Sequence, residues 1–88
     1  MERKLRERSK SKYVTLAEVE VGHRARILQL KVEGLTRRRL LDLGLLPGTE
    51  ARALMRSPLG DPIAYEVRGS TLALRSEDAS KIVVELLS

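Results

Sequence analysis

Turn-forming residues interrupt this sequence so often that no long regular element can form. Gly22, Gly44, the pair Pro47-Gly48, the stretch SPLGDP at 57–62 and the pair Gly69-Ser70 all stand where glycine or proline sets the backbone of a turn. The runs between them are short, and several alternate apolar with polar residues, the period of a strand with one buried face. Parallel strands need crossovers of about a dozen residues or more, and most of these gaps are shorter. A compact antiparallel sheet is the architecture that such punctuation allows.

Residues 24–30 (RARILQL) read as the first strand. Ala25 and Ile27 fall on one face, Leu28 and Leu30 on the other, and a bulge near Ile27 and Leu28 would bring both sets inside. Before it, TLAE at 15–18 fits a capping box around a short helical turn that ends by Val21-Gly22. After it, Thr36 is a good N-cap for a helix of about two turns. Leu35 and Leu40 are spaced for a hydrophobic staple, Leu40 and Leu43 share a face, and Gly44 suits a left-handed C-terminal cap, with Leu45 or Leu46 as its apolar contact. Pro47-Gly48 has the order a type II turn requires. In the next strand Ala51, Ala53 and Met55 face one way, and Arg52, Leu54 and Arg56 the other. Ile63, Tyr65 and Val67 alternate with Ala64, Glu66 and Arg68, and Leu72 and Leu74 alternate with Thr71, Ala73 and Arg75. A capped turn at 76–79 precedes a last strand carrying Ile82, Val84 and Leu86. The expected fold is mainly β: a small barrel of about five strands with one short helix. An SH3-like barrel fits this order best and an OB-like barrel next. Closing the sheet would also remove its exposed edges.

The chain has 88 residues, enough for one domain with a compact core. It contains no Phe and no Trp, so Leu, Val, Ile and Ala must build that core, with Tyr13 and Tyr65 the only aromatics. It contains no Cys, which excludes disulfides, thiolate metal sites, iron–sulfur clusters and cysteine nucleophiles. No apolar run is long enough to span a membrane, and the charged N-terminus lacks the apolar stretch of a secretory signal, so a cytoplasmic location, with the inner face of the membrane in reach, is expected. The formal net charge is +5, but it is unevenly placed. Residues 1–12 hold six basic and two acidic side chains, whereas residues 13–88 hold eleven and ten. Residues 1–12 therefore read as a disordered basic arm, and residues 13–88 as a nearly neutral domain. The arm is either a solubilising tail or a contact to the phosphates of nucleic acid or anionic lipid.

Chemistry-bearing constellations are scarce. His23 is the sole histidine and follows the turn glycine Gly22 with no carboxylate in the strand beyond it, so it reads as a solvated turn residue rather than a metal ligand. Glu77 and Asp78 are explained by the helix dipole of the first turn they occupy. No glycine pattern matches a phosphate loop and no nucleophile has an evident base. Neither catalysis nor a cofactor nor a metal site is expected. Single-strand binding proteins stack bases on aromatic residues, and Tyr65, the one aromatic in the expected barrel strands, alternates with Ile63 and Val67 toward the interior. The odd feature is Arg37-Arg38-Arg39, which would place three cations in the first turn of the helix, where the dipole disfavours each by about 0.3 kcal/mol or more. The triplet is either a solvated face or a contact to an acidic partner surface, in which case Arg37, Arg38, Arg39, Asp42 and Leu46 form the expected partner-binding surface.

Four segments resemble the FeoA family. The run LTRRRLLDLGLLPGT at 35–49 resembles its RLxxLGLxPG core. SPLGDPI at 57–63 is similar to its P-x-G-D-P-[IV] hairpin, RGSTLALR at 68–75 to its RG-x-x-[LI]-[AS]-LR segment, and LAEVEVG at 16–22 to its opening turn. Together they cover residues 14–86 in order. Leu40, Leu43, Gly44, Pro47, Gly48, Gly60, Pro62 and Gly69 match the motif, and each has a structural explanation: the glycines and prolines set turns, and the leucines pack. The resemblance implies an SH3-like barrel. It also implies a partner, the membrane ferrous-iron transporter FeoB with its cytosolic GTP-binding domain, which FeoA-like proteins assist rather than carrying iron themselves. Similar domains close the iron- and manganese-dependent repressors. A free-standing relative of that repressor domain, or a small basic nucleic-acid-binding barrel, is the alternative.

Overall fold

The computed structural model describes residues 13–88, so the expected basic arm at 1–12 lies outside the described residues. The elements are strand β1 (Tyr13–Thr15), a 3-10 turn (Leu16–Glu18), β2 (Arg24–Leu30), helix α1 (Gly34–Asp42), β3 (Glu50–Arg56), β4 (Ile63–Val67), β5 (Ser70–Leu74), helix α2 (Ser76–Ala79) and β6 (Ile82–Leu86). The six strands form one sheet in the order β1-β6-β2-β3-β4-β5. Every neighbouring pair is antiparallel. The strand absent from the sequence reading is β1, whose three residues pair with β6 and are too few to display a period. No ladder joins β1 to β5, so the sheet keeps two terminal strands where full closure was expected.

The core is aliphatic. Ala25, Ile27, Leu30, Ala51, Ala53, Ile63, Val67, Leu74, Ile82 and Val84 are buried along the strands, and Leu16, Val19, Val32, Leu40, Leu45 and Ala79 close it from the connections. The expected bulge in β2 is present: its pairing with β6 shifts between Ile27 and Gln29. The shift returns Leu30 to the inner face and leaves Leu28 at the surface, so only one of the two outer leucines moves inward. A second shift, between Ala53 and Met55 in β3, breaks the expected alternation. Met55 consequently leaves the inner face and is 62% exposed.

Tyr65 is the one core side chain with a polar tip. It is fully buried, and its hydroxyl donates to the carbonyl of Leu16 at 3.1 Å. Burial pushes the phenol up to about 12, partly opposed by the nearby Arg56 cation. The Arg56 guanidinium donates to the next carbonyl, that of Ala17. Two side chains from the β3–β4 hairpin thus hold the 3-10 turn, whose start is fixed by Glu18 accepting the Thr15 N–H at 2.8 Å. Asp61, from the β3–β4 connection, accepts the Ser76 N–H at 2.8 Å and so caps α2 from a distant segment.

Helix α1 departs from expectation at its start. Its N-cap is Glu33, and the helix begins at Gly34, two residues before Thr36. Leu35 and Leu40 then both lie inside the helix, five residues and about 140° apart around its axis. They cannot form a staple, and Leu35 is 85% exposed while Leu40 is buried. The helix end is as expected. Gly44 adopts φ 106°, its N–H bonds the Leu41 carbonyl at 3.0 Å, and the Leu45 N–H bonds the Leu40 carbonyl at 3.0 Å. This is a Schellman cap, with buried Leu45 supplying the apolar contact to Leu40. The Cβ of any other residue at 44 would stand 3.4 Å from the Arg68 side chain, in a backbone conformation that L residues rarely adopt. Leu46 to Thr49 follow as the type II turn, with Gly48 at φ 94° and the Thr49 N–H bonding the Leu46 carbonyl at 2.9 Å. That turn is tied to the β2 bulge by Gly48 N–H to Ile27 O at 2.7 Å and Ile27 N–H to Thr49 O at 2.8 Å.

Candidate functional site

The early start of α1 changes the electrostatics of its arginines. Arg37, Arg38 and Arg39 do not occupy the first turn; Arg39 lies in the last turn, where the helix dipole favours a cation. The expected misplacement of charge is therefore absent. What marks the triplet is instead three consecutive exposed guanidinium groups on one short helix, none of them in an ion pair among the described residues.

Arg38, Arg39 and Asp42 line one shallow depression with Leu35 and Leu43. Leu43 was expected to pack and is 44% exposed, because the helix turns only Leu40 fully inward. Leu46 is 40% exposed beyond the cap. Arg37 and Leu46, two of the five residues expected at a partner surface, lie outside that depression; Leu35 and Leu43, not expected there, lie in it. For Leu35 the signal in the sequence is its spacing of five from Leu40, which places two leucines of one helix on different faces; the spacing of Leu43, three residues from Leu40, carries no such signal.

A groove of about 630 Å³ separates α1 from the β5–α2 segment. Thr36, Arg39, Leu40 and Leu43 line it from the helix side, Ala73, Leu74 and Arg75 from the end of β5, and Glu77, Asp78 and Lys81 from α2 and the residues after it. Glu77 and Asp78 sit in the first turn of α2, as expected of them. The other matched motif positions serve the backbone: Gly60 and Gly69 have positive φ in the two hairpin connections, and Pro62 directly precedes β4, its carbonyl accepting the Ser57 N–H.

No group of three or more His, Cys, Asp or Glu residues able to hold a metal ion occurs among the described residues. His23 lies at the surface, its Nδ1 bonded to Ser88 O. No helix among the described residues is long and apolar enough to cross a membrane.

Comparison with known proteins gives these surfaces a context. The model of the FeoA domain family matches residues 14–86. The Fe(2+) transport protein A/Fe(2+) transporter FeoB fusion protein of Porphyromonas gingivalis is 37% identical over 73 residues, which are 83% of this chain and 9% of that protein. The chain thus spans less than a tenth of that relative's length. The solution structure of the FeoA protein of Chlorobium tepidum is 39% identical and superposes with a TM-score of 0.82, covering 85% of this chain and 71% of that one. The Stenotrophomonas maltophilia FeoA, a procaryotic SH3 domain protein solved with zinc, is 29% identical with a TM-score of 0.71, covering 82% and 89%. The fold is accordingly SH3-like, as the strand order and the sequence resemblance led one to expect.

Proposed function

The chain belongs to the FeoA domain family, and on that footing we propose that it is a non-enzymatic accessory domain of ferrous-iron uptake, acting by contact with an FeoB-type transporter at the cytoplasmic face of the membrane. The observation that carries this reading is the fusion relative, in which a segment similar to nearly the whole of this domain shares one polypeptide with an FeoB transporter. Fusion raises the effective concentration of one module at another, often to the millimolar range, and is useful where the two must meet.

The surface that fits is the exposed side of α1 and the loop after it: Arg37, Arg38, Arg39, Asp42 and Leu46, joined by Leu35 and Leu43. Large exposed apolar side chains beside guanidinium groups that form no ion pair among the described residues match the make-up of binding surfaces, where arginine is enriched and lysine depleted. The cytosolic GTP-binding domain is the part of such a transporter that this surface would meet. Residues 1–12, with their net +4, add a contact to the membrane surface or to nucleic acid.

The test is a calorimetric titration of the full chain into the whole FeoB-type transporter of the same organism, held in nanodiscs, with and without guanine nucleotide. Saturable one-to-one binding is the expected result. No heat at high protein concentration, together with nucleic-acid binding that falls steeply with salt, would move the function to the basic arm.

A further inference from the structure

Strand β5 is a terminal strand of the sheet. Among the described residues it pairs with β4 on one side and with no strand on the other. Natural edges are blunted by lysine, proline, a bulge or extreme shortness. The other edge, β1, is three residues long. β5 has five residues, STLAL, with none of these devices, and its register with β4 is regular throughout.

The register fixes which backbone groups face outward. Val67 pairs with Ser70 across the two-residue Arg68-Gly69 turn, so that pair is hydrogen-bonded and the bonding alternates from there. Ser70, Leu72 and Leu74 direct their N–H and C=O groups to β4. Thr71 and Ala73 direct theirs away from the sheet. Both are exposed, and neither takes part in any other backbone hydrogen bond among the described residues. Two donors and two acceptors at strand spacing are complementary to one kind of partner, an extended chain lying about 4.8 Å away.

The end of this strand opens on the groove already described, whose far wall is α1. Its volume of about 630 Å³ is in the range that holds a short peptide segment. Arg39 and Arg75 stand on opposite walls, neither in an ion pair among the described residues. Lys81 lines the groove too, so its three cations outnumber its two acids, Glu77 and Asp78, which also complement the N-terminal turn of α2. An occupant bearing acidic side chains would pair with both arginines. A second copy of this chain fits poorly, because its own β5 carries no charge and would bring a second Arg39 and Arg75 toward the first pair.

We infer that the outer edge of β5, with the groove between it and α1, receives an extended acidic segment of the transporter partner, which adds a seventh strand to the sheet. The inference rests on the reading of this chain as an FeoB-type transporter's accessory domain. It specifies the partner element: main-chain bonds to Thr71 and Ala73, and carboxylates against Arg39 and Arg75.

Amide hydrogen exchange of the full chain, quenched and read residue by residue, with and without the whole transporter in nanodiscs, tests it. Exchange at Thr71 and Ala73 is expected to slow about tenfold or more in the complex, while the already bonded Leu72 changes less. The double variant R39E/R75E, whose substitutions lie at exposed sites outside the core, is expected to bind about tenfold more weakly or worse. A complex that forms with wild-type affinity in that variant, or without protection at Thr71 and Ala73, overturns the strand-addition inference and leaves the accessory reading standing. No complex of any kind removes both. Concentration-dependent protection of the same two amides in the free chain assigns the edge to a second copy instead.

Discussion

Two sets of arginines divide the molecule. Arg24 and Arg26 on β2 meet acids on the neighbouring strands: Arg24 bonds Glu50 at 3.3 Å, and Arg26 reaches Glu50 at 4.0 Å and Glu85 at 3.6 Å. Arg37, Arg38 and Arg39 on α1 meet no acid among the described residues. The first set lies over strands paired on both sides, whose inner faces hold Ala25, Ile27, Ala51, Ala53 and Val84. The second lies on a helix that buries Leu40 alone, across a groove from an edge strand with open backbone groups. On the proposed function, the contrast separates stability from recognition. On the β2–β3–β6 side the strand backbones are paired on both sides, and Arg24 and Arg26 meet acids within the chain. On the α1–β5 side the outward backbone groups of β5, the α1 arginines and the exposed Leu35 have no partner among the described residues.

The largest effect that should follow is on stability, and on one side only. Ile27→Ala removes a fully buried side chain at the bulge that ties β2 to the type II turn. A loss of about 3 kcal/mol is expected by denaturant unfolding. Leu35→Ala, at a side chain 85% exposed, should change stability by no more than about 0.5 kcal/mol. Comparable losses in the two variants would erase the distinction between the two sides.

Tyr65 sharpens the comparison through pH. Its hydroxyl is held neutral by burial and pushed up to about 12, against about 10 in the unfolded chain. Below pH 10 both states keep the proton. Above it the unfolded chain loses the proton first, so stability should fall between about pH 10 and 12, by roughly 2–3 kcal/mol at the upper end. Tyr65→Phe should remove the part of this fall that Tyr65 causes. At neutral pH it should cost about 1–2 kcal/mol, because the Leu16 carbonyl loses its donor. An unchanged alkaline profile in that variant would contradict the account of the core.

Gly44→Ala comes next, at about 1–2 kcal/mol, because the Schellman cap needs the φ of 106° found there. The smallest effect belongs to the paired arginines. Glu50→Ala, which removes the acid shared by Arg24 and Arg26, should cost less than about 1 kcal/mol and lose most of that effect at high salt, since both partners are about half exposed. A larger, salt-resistant cost would mean that the paired face is more than a solvated ladder.

Much of this was legible in the sequence where local chemistry decides the outcome. The alternation of Ile63, Tyr65 and Val67, the glycine cap at Gly44, the Pro47-Gly48 turn and the bulge after Ile27 each depend on a few adjacent residues. The misreadings share a cause. Met55 turns outward because β3 slips against β4, a fact about two strands and not about either one alone. The basis for the partner surface, cations at a helix start, fails because α1 begins at Gly34, a residue that helical propensity disfavours. The open edge of β5 was hidden because the turn spacing suggests closure without saying which strands fail to meet.

The central claim is that the α1–β5 side binds and the β2–β3–β6 side stabilises. One double variant, Leu35→Ser with Arg39→Glu, tests it most directly when its unfolding midpoint and its affinity for the FeoB-type transporter in nanodiscs are measured together. The account predicts an unfolding midpoint close to wild type and an affinity lower by about tenfold or more. Wild-type affinity in a variant that is fully folded would contradict it.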